Sequence, residues 1–215
     1  MAATHYSFVD LTLLPALRRR LLASEATVLF AADLGRMLWA NPRGARLFGG
    51  AGIAELGGSP LSPQQPFVRQ LAAAVRQIEP DEPIVRGFRL ARGARSELIL
   101  CELSCLALPG GEAAVLLAAM DERGAAPGRE HELAAAAVDA LAGFAPAAAI
   151  VDDYGLVLAA SPGFADIELS PEDIAAALAE SAADADHLAK RVIAGADGRR
   201  HGIGIARLSE QPGRY

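Results

Sequence analysis

The pattern of apolar and polar positions contains two similar hairpins, one in each half of the chain. In the first, the apolar runs Val28–Phe30 and Met37–Trp39 flank the turn segment Asp33-Leu34-Gly35. Asp and Gly favour tight turns, so this order predicts a β-hairpin. Asn41 and Pro42 then predict the start of a small helix, because Asn is a good N-terminal cap and Pro is tolerated at the first helical position.

The second hairpin repeats these steps in the same order. The turn Asp152–Gly155 precedes the apolar run Leu156–Leu158, and Ser161 then occupies the capping position before a proline. The turn glycines of the two copies lie 120 positions apart, and so do the two capping residues. A constant offset across turn and cap indicates an internal duplication.

Apolar residues spaced three and four apart predict helices outside the hairpins. One N-terminal helix carries the stripe Leu14, Leu17 and Leu21. A long helix in the first module carries Phe67, Leu71, Ala74, Val75 and Ile78. A connecting helix, Glu130–Leu141, has a stripe that either pairs with a second copy or packs on its own domain. That stripe is Leu133, Ala137, Ala140 and Phe144.

Three strands are predicted to close the first module: Ile84–Ala91, Glu97–Leu108 and Ala113–Met120. In the second module, Ser170 begins a long helix that is expected to extend to Gly195, with the following apolar stripe. The stripe is Ile174, Leu178, Ala185, Leu188 and Val192. Only Arg199–Leu208 then has a strand pattern, so the second module is expected to be truncated, with Arg214 and Tyr215 opening its next strand.

Composition narrows the class of protein. The chain has 215 residues and a net charge of −6, which argues against a dedicated nucleic-acid binder. Arg18–Arg20 is interpreted as a solvated helix face. Two cysteines imply no disulfide framework and favour a reducing compartment. With neither a membrane-length apolar run nor a signal-peptide pattern, a cytoplasmic location without membrane contact is expected.

The order of hairpin, small helix, long helix and three antiparallel strands resembles a PAS domain. The residues that carry this resemblance are Asp33, Gly35, Trp39-Ala40-Asn41, Ala45 and Leu47-Phe48-Gly49. It implies an α+β fold with two PAS-like modules, each an antiparallel sheet with helices on one face. The expected segments are 1–25, an N-terminal dimerisation helix; 26–122, the first PAS domain; 123–145, a linker and connecting helix; and 146–215, an incomplete second PAS-like domain.

The tandem also resembles the N-terminal sensory region of soluble alphaproteobacterial cell-cycle sensor histidine kinases, the group related to PleC and DivJ. This resemblance implies a homodimeric sensor in a two-component phosphorelay, with a kinase core elsewhere in the protein and a response regulator or polar scaffold protein as further partners. Two alternatives remain open. One is an interaction module that docks a response regulator without sensing a small molecule, and the other is a small-molecule sensor with another output, such as cyclic-nucleotide signalling.

Candidate chemical residues are few, and the chain itself is expected not to be an enzyme. His131 begins a His-Glu-Leu sequence but lacks the continuation of a phosphoacceptor helix, and His187 faces away from the predicted stripe. His5 and His201 have no metal-ligand spacing. Cys101 and Cys105 lie about 13 Å apart along one strand, too far for a disulfide, and are interpreted as buried structural residues. No catalytic residue, metal, haem or covalent flavin is predicted, and the residues of any cofactor site are unknown.

Overall fold

The structure, a computed structural model, describes residues 6–50, 60–79, 82–92, 95–120, 129–195, 198–210 and 213–215. His5, most of the loop that follows Gly50 and most of the predicted linker after Met120 lie outside these residues. Backbone contacts divide the chain into two compact units. The N-terminal unit comprises Met1–Phe8 and Ala23–Ala126, and the C-terminal unit comprises Val9–Leu22 and Pro127–Tyr215.

Pro15 divides the predicted N-terminal helix into two short ones, α1 (Phe8–Thr12) and α2 (Pro15–Arg18). Proline lacks the N–H that an uninterrupted helix would need at this position, and here it begins α2 instead. Leu17 and Leu21 are fully buried in the single chain. Two of the three stripe residues of the expected dimerisation helix are therefore covered, Leu14 is half-buried, and Val9–Leu22 belongs to the C-terminal unit.

A five-stranded antiparallel sheet forms the centre of the N-terminal unit, in the order β2-β1-β5-β4-β3. Its strands are β1 (Thr27–Ala31), β2 (Met37–Ala40), β3 (Ile84–Arg92), β4 (Arg95–Ala107) and β5 (Ala113–Ala119). Between β2 and β3 lie the small helix α3 (Pro42–Leu47) and the longer helix α4 (Pro66–Val75). The strands of the first module are thus where the sequence predicts them, within one or two residues, whereas α4 ends at Val75, three residues before the predicted stripe residue Ile78.

The C-terminal unit begins with α5 (Arg129–Ala142), which packs on the hairpin of β6 (Ala149–Val151) and β7 (Val157–Ala160). The short helix α6 (Pro162–Ala165) and the longer α7 (Pro171–Ala183) follow. Two further antiparallel pairs follow: β8 (Leu188–Ala194) with β9 (Arg200–Ala206), and β10 (Ser209–Glu210) with β11 (Gly213–Arg214). The unit repeats the helix and hairpin order of the first, as the duplication predicts.

The prediction of a helix continuing to Gly195 is wrong. The helix α7 ends at Ala183, because Asp184 is extended and its Oδ1 accepts the backbone N–H groups of Asp186 and Leu188. Residues Leu188–Ala194 then form β8, with Ala189 and Ile193 buried and Val192 61% exposed. A spacing of four residues places side chains on one face of a strand as well as of a helix, so the apolar stripe did not distinguish the two. The single predicted strand is accordingly replaced by two full strands and a short hairpin.

The turns of the β1–β2 and β6–β7 hairpins differ in length by one residue, so their structural alignment is not the one that their glycines suggest. In the N-terminal unit the N–H of Leu34 donates to Ala31 O, and Leu34 has φ +56°. In the C-terminal unit the equivalent donor is Gly155, which bonds to Asp152 O and has φ +80°. The left-handed turn residue is therefore Leu34 rather than Gly35, and the second turn is one residue shorter. The offset between the copies is 121 before the turn and 120 after it.

Candidate functional site

The interior of the N-terminal unit, between α4 and the sheet, is the position where the resemblance would place a sensory core. Four aromatic rings lie there in a chain, with centroid separations of 5.8 Å for Phe30 and Phe48, 5.0 Å for Phe48 and Phe67, and 5.7 Å for Phe67 and Phe88. All three pairs are edge to face, the favoured geometry for aromatic contacts.

Asn41 connects three elements at one end of this core. Its Oδ1 accepts the N–H groups of Gly44 at 2.7 Å and Thr27 at 3.0 Å, and its Nδ2 donates to Glu25 O at 2.8 Å. The residue is fully buried. One amide side chain thus caps α3 and fixes the entry to β1, which explains why an Asn-Pro pair follows β2.

Ser161, the counterpart of Asn41, makes a different set of bonds. Its Oγ accepts the N–H of Ala148 at 2.9 Å, but it makes no capping bond to α6. A hydroxyl is shorter than an amide and cannot reach both the strand and the helix. The hairpin of β6 and β7 is therefore tied to α6 less tightly than the hairpin of β1 and β2 is tied to α3.

A glycine permits close packing of each small helix. A Cβ on Gly44 would lie 2.1 Å from Thr27 O, and a Cβ on Gly163 would lie 2.3 Å from Pro146 O. Both distances are far below contact distance, so only glycine allows the helix to approach the backbone of the preceding segment this closely.

The short hairpin of β10 and β11 is held by a polar network around Asp153, which lies in the turn between β6 and β7. Its Oδ2 accepts the N–H of Gly213 at 3.1 Å, and Arg207 lies 3.9 Å from its Oδ1 and 5.7 Å from the ring centroid of Tyr215. Arg214 pairs with Glu130 of α5. These contacts connect Gly213 to the turn between β6 and β7, and Arg214 to α5.

The cysteines differ from each other, so the prediction that both are buried is half wrong. Cys101 is fully buried, and burial raises the pKa of its thiol to about 12. Cys105 is exposed. The pairing of β3 with β4 begins at Ile84 opposite Leu103, so Cys105 lies in the part of β4 that pairs with β5 alone, even though it has the same parity as Cys101.

The histidines lie at separate places. His131 is exposed on α5, and its Nδ1 is 3.3 Å from Leu158 O of β7. His187 lies in the turn after α7, with φ +54°, rather than on the helix itself. His201 is on β9. Within the described ranges, no group of three or more His, Cys, Asp or Glu residues could hold a metal ion.

Arg18 is an unusual residue that the sequence interpretation missed. The pattern favours a solvated face for it, but it is only 5% exposed, and its Nε and Nη1 have no hydrogen-bond partner among the described residues. Burial lowers the pKa of Arg18, and the neighbouring Asp186 and Asp184 oppose this effect. The sequence does contain a signal, because position 18 lies between Leu14, Leu17 and Leu21 on the same helical face.

No protein-family model matches the chain. Among curated proteins, the chain is similar to the cell-division control histidine kinase PdhS of Brucella suis and of Brucella abortus, with 32% identity over 207 residues in each case. The alignment covers 96% of this chain and 19% of each relative, so the chain spans about a fifth of their length. The Brucella ovis protein of the same name is 31% identical.

Solved structures that resemble the chain include two PAS domains. One is from an HTR-like protein of Haloarcula marismortui, with a TM-score of 0.37 and 17% identity, covering 50% of this chain and 93% of that one. The other is from nitrogen regulation protein NR(II) of Vibrio parahaemolyticus, with a TM-score of 0.35 and 14% identity, covering 54% and 99%. The expected resemblance to alphaproteobacterial cell-cycle histidine kinases is confirmed.

Proposed function

We propose that this chain is the sensory and dimerisation region of a two-component histidine kinase that acts in cell-division control. The observation that carries the proposal is the similarity to PdhS histidine kinases over 96% of the chain. The two hairpin-and-helix units are consistent with it, because such units can change their packing when a ligand or partner binds. The kinase activity would belong to the remainder of the protein, and the chain itself would supply no catalytic residue.

The proposed location is cytoplasmic, and the proposed partners are a second copy and a response regulator or polar scaffold protein. No described helix of this chain is both long enough and apolar enough to cross a bilayer. Phosphotransfer to a response regulator would be the output, and the role of this region would be to alter the rate of that reaction.

The test uses the whole protein that contains this chain. Incubation with labelled ATP is expected to give an acid-labile phosphohistidine, and transfer to a receiver domain is expected to follow. Variants of the C-terminal unit, such as Tyr215→Ala, are expected to change the rate without abolishing phosphorylation. If the whole protein formed no phosphohistidine, or if these variants left the rate unchanged, the proposal would be wrong.

The aromatic core favours one second candidate, an interaction module that docks a response regulator without sensing a small molecule. Phe30, Phe48, Phe67 and Phe88 contact one another in the interior between α4 and the sheet, which is where a small molecule would have to bind. Direct binding of a purified receiver domain to the 215-residue chain would support this candidate. Activation of the whole kinase by a small molecule, with no binding of the receiver domain to this chain, would refute it.

A further inference from the structure

The two edge strands of the N-terminal sheet differ in length and in regularity. The strand β2 has four residues, and the register of its pairing with β1 shifts between Leu29 and Phe30. The strand β3 has nine residues and pairs with β4 from Ile84 to Arg92 without a shift. Short or bulged edges resist pairing with another chain, whereas a long regular edge is a template for it. Of these two edges, β3 is therefore the one suited to accept a further strand.

The hydrogen-bond pattern identifies the backbone groups of β3 that point away from the sheet. Met120 N–H donates to Leu100 O, so the backbone polar groups of Leu100 face β5. Gly87 lies opposite Leu100 on β3, and the two therefore form a non-hydrogen-bonded pair. The N–H and C=O of Gly87 thus point to the free edge, as do those of Val85 and Arg89, two positions away on either side.

Side chains cover this edge on both sides of Gly87. Gln70 Oε1 accepts the N–H of Arg89 at 3.1 Å, and Arg86 Nη1 donates to Val85 O at 2.8 Å. Gly87 itself is exposed, and within the described residues its N–H and C=O have no hydrogen-bond partner. An incoming strand could replace both covering groups, because its C=O would accept where the Gln70 amide accepts and its N–H would donate where the Arg86 guanidinium donates.

Positive charge borders the edge. Exposed arginines of β3, of α4 and of the residue that caps α4 include Arg69, Arg76, Arg86 and Arg89. The first two each directly precede a glutamine that bonds to β3. The nearest carboxylates along the chain, Glu79 and Glu82, come before the strand. Opposite charges attract across neighbouring strands and like charges repel, so the edge favours an acidic segment and disfavours the same edge of a second copy.

We propose that the free edge of β3 is a docking site for an extended acidic segment of a partner protein, which pairs antiparallel with β3 around Gly87. Added strands gain affinity from backbone hydrogen bonds and specificity from side-chain contacts. The partner residues opposite Arg89 and Arg86 are three positions apart in the added strand. A segment with carboxylates at this spacing therefore places one opposite each arginine. The inference does not depend on the proposed function.

The probe is a labelled, end-blocked peptide of eight residues, made of threonine and valine with glutamate at positions three and six. Fluorescence anisotropy, with the 215-residue chain titrated to about 1 mM, is expected to show binding. A second peptide, with lysine instead of glutamate at position three, is expected to bind about fivefold more weakly. In NMR spectra of the labelled protein, the amide signal of Gly87 is expected to shift when the glutamate peptide binds.

Charge reversal tests the contact with Arg89. Arg89→Glu retains every backbone group of the edge, and it is expected to reverse the order of the two peptides, so that the lysine peptide binds more tightly. Arg46→Glu is the matched control, because Arg46 is exposed on α3, which packs on β1 and β2. This control is expected to leave both affinities unchanged.

Gly87→Pro tests the backbone contact. Proline removes the outward N–H without removing a hydrogen bond to β4, and it is expected to weaken binding of the glutamate peptide by about tenfold. Fluorescence of Trp39 verifies that the N-terminal unit is folded, and if Gly87→Pro is not, the result with Arg89→Glu decides. Absence of binding, equal binding of both peptides to the wild type, an unshifted Gly87 signal or an unchanged peptide order in Arg89→Glu would overturn the inference.

Discussion

Val151 and Tyr215 exchange two backbone hydrogen bonds, each N–H donating to the carbonyl of the other at 2.9 Å. The equivalent contact in the N-terminal unit is the pair Phe30 and Val115 of β1 and β5. Tyr215 thus occupies the position of a central strand in the C-terminal unit, and its ring packs with Val151 and Leu178 in a small apolar core.

Replacing Tyr215 is expected to destabilise the C-terminal unit. Tyr215 is only 7% exposed, so Tyr215→Ala should lower the free energy of unfolding by about 3 kcal/mol through lost burial and a cavity. Tyr215→Phe should have a much smaller effect, because the ring remains. Differential scanning calorimetry measures the change, and Tyr154→Ala is the matched control, since Tyr154 is 94% exposed. Equal effects of the two alanine variants would contradict this prediction.

Asn41 should contribute more to stability than its counterpart Ser161. Asn41→Ala leaves two buried N–H groups without an acceptor and should cost about 2 to 3 kcal/mol in unfolding free energy. Ser161→Ala removes one bond and should cost about 1 kcal/mol. Urea unfolding followed by circular dichroism gives both values. A larger loss for Ser161→Ala would show that the amide is not the stronger connection.

Gly44→Ala should be destabilising although alanine favours helices. The added Cβ would meet Thr27 O at 2.1 Å, so α3 must move away from β1, at a cost of about 2 kcal/mol or more. Gly204→Ala is the control, because a Cβ added to Gly204 on β9 would meet no atom within 4 Å. That change should alter stability by less than about 0.5 kcal/mol. Thermal unfolding of both variants tests the difference.

The two thiols should react at very different rates. Because burial raises the pKa of Cys101 to about 12, its thiol stays protonated at about pH 8, and iodoacetamide should label Cys105 alone in the folded protein. The same shift predicts a pH dependence. Stability from this group is full below the thiol's unfolded pKa of about 9 and decreases as the pH rises toward 12, because only the unfolded state then loses the proton. If mass spectrometry detected rapid labelling of Cys101 in the folded protein, this prediction would be wrong.

Arg18→Met is expected to stabilise the protein. A buried guanidinium without partners for Nε and Nη1 carries a desolvation cost that Asp184 and Asp186 only partly offset, and methionine has a similar length without the charge. The melting temperature should rise by a few degrees, which corresponds to about 1 kcal/mol for a unit of this size. Arg19→Met, at an exposed neighbour, should leave the melting temperature unchanged. A lower melting temperature for Arg18→Met would show that this cation has a partner that matters for stability.

Local features could be predicted from the sequence because they depend on residues close together in the chain. The cap Asn41, the cap Ser170 with its bond to the N–H of Asp173, and the prolines that begin α3 and α7 are all where the pattern placed them. Each is an interaction across three or four positions, which side-chain chemistry alone specifies. The duplication was visible for a related reason, since both copies place a turn and a polar residue before a proline at matching positions, although the second turn is one residue shorter and Ser161 makes no capping bond.

Only the tertiary structure decided the features that depend on distant neighbours. Leu188 and Val192 fit a helix or a strand equally well, and pairing with β9 selected the strand. Whether Arg18 lay in solvent, whether Cys105 shared the burial of Cys101 and whether the leucine stripe near the N-terminus stayed free were settled by what packs against each residue. Hydrophobic periodicity predicts that the apolar face of a helix or strand will be buried. The segment that covers this face lies elsewhere in the chain, so no local pattern identifies it.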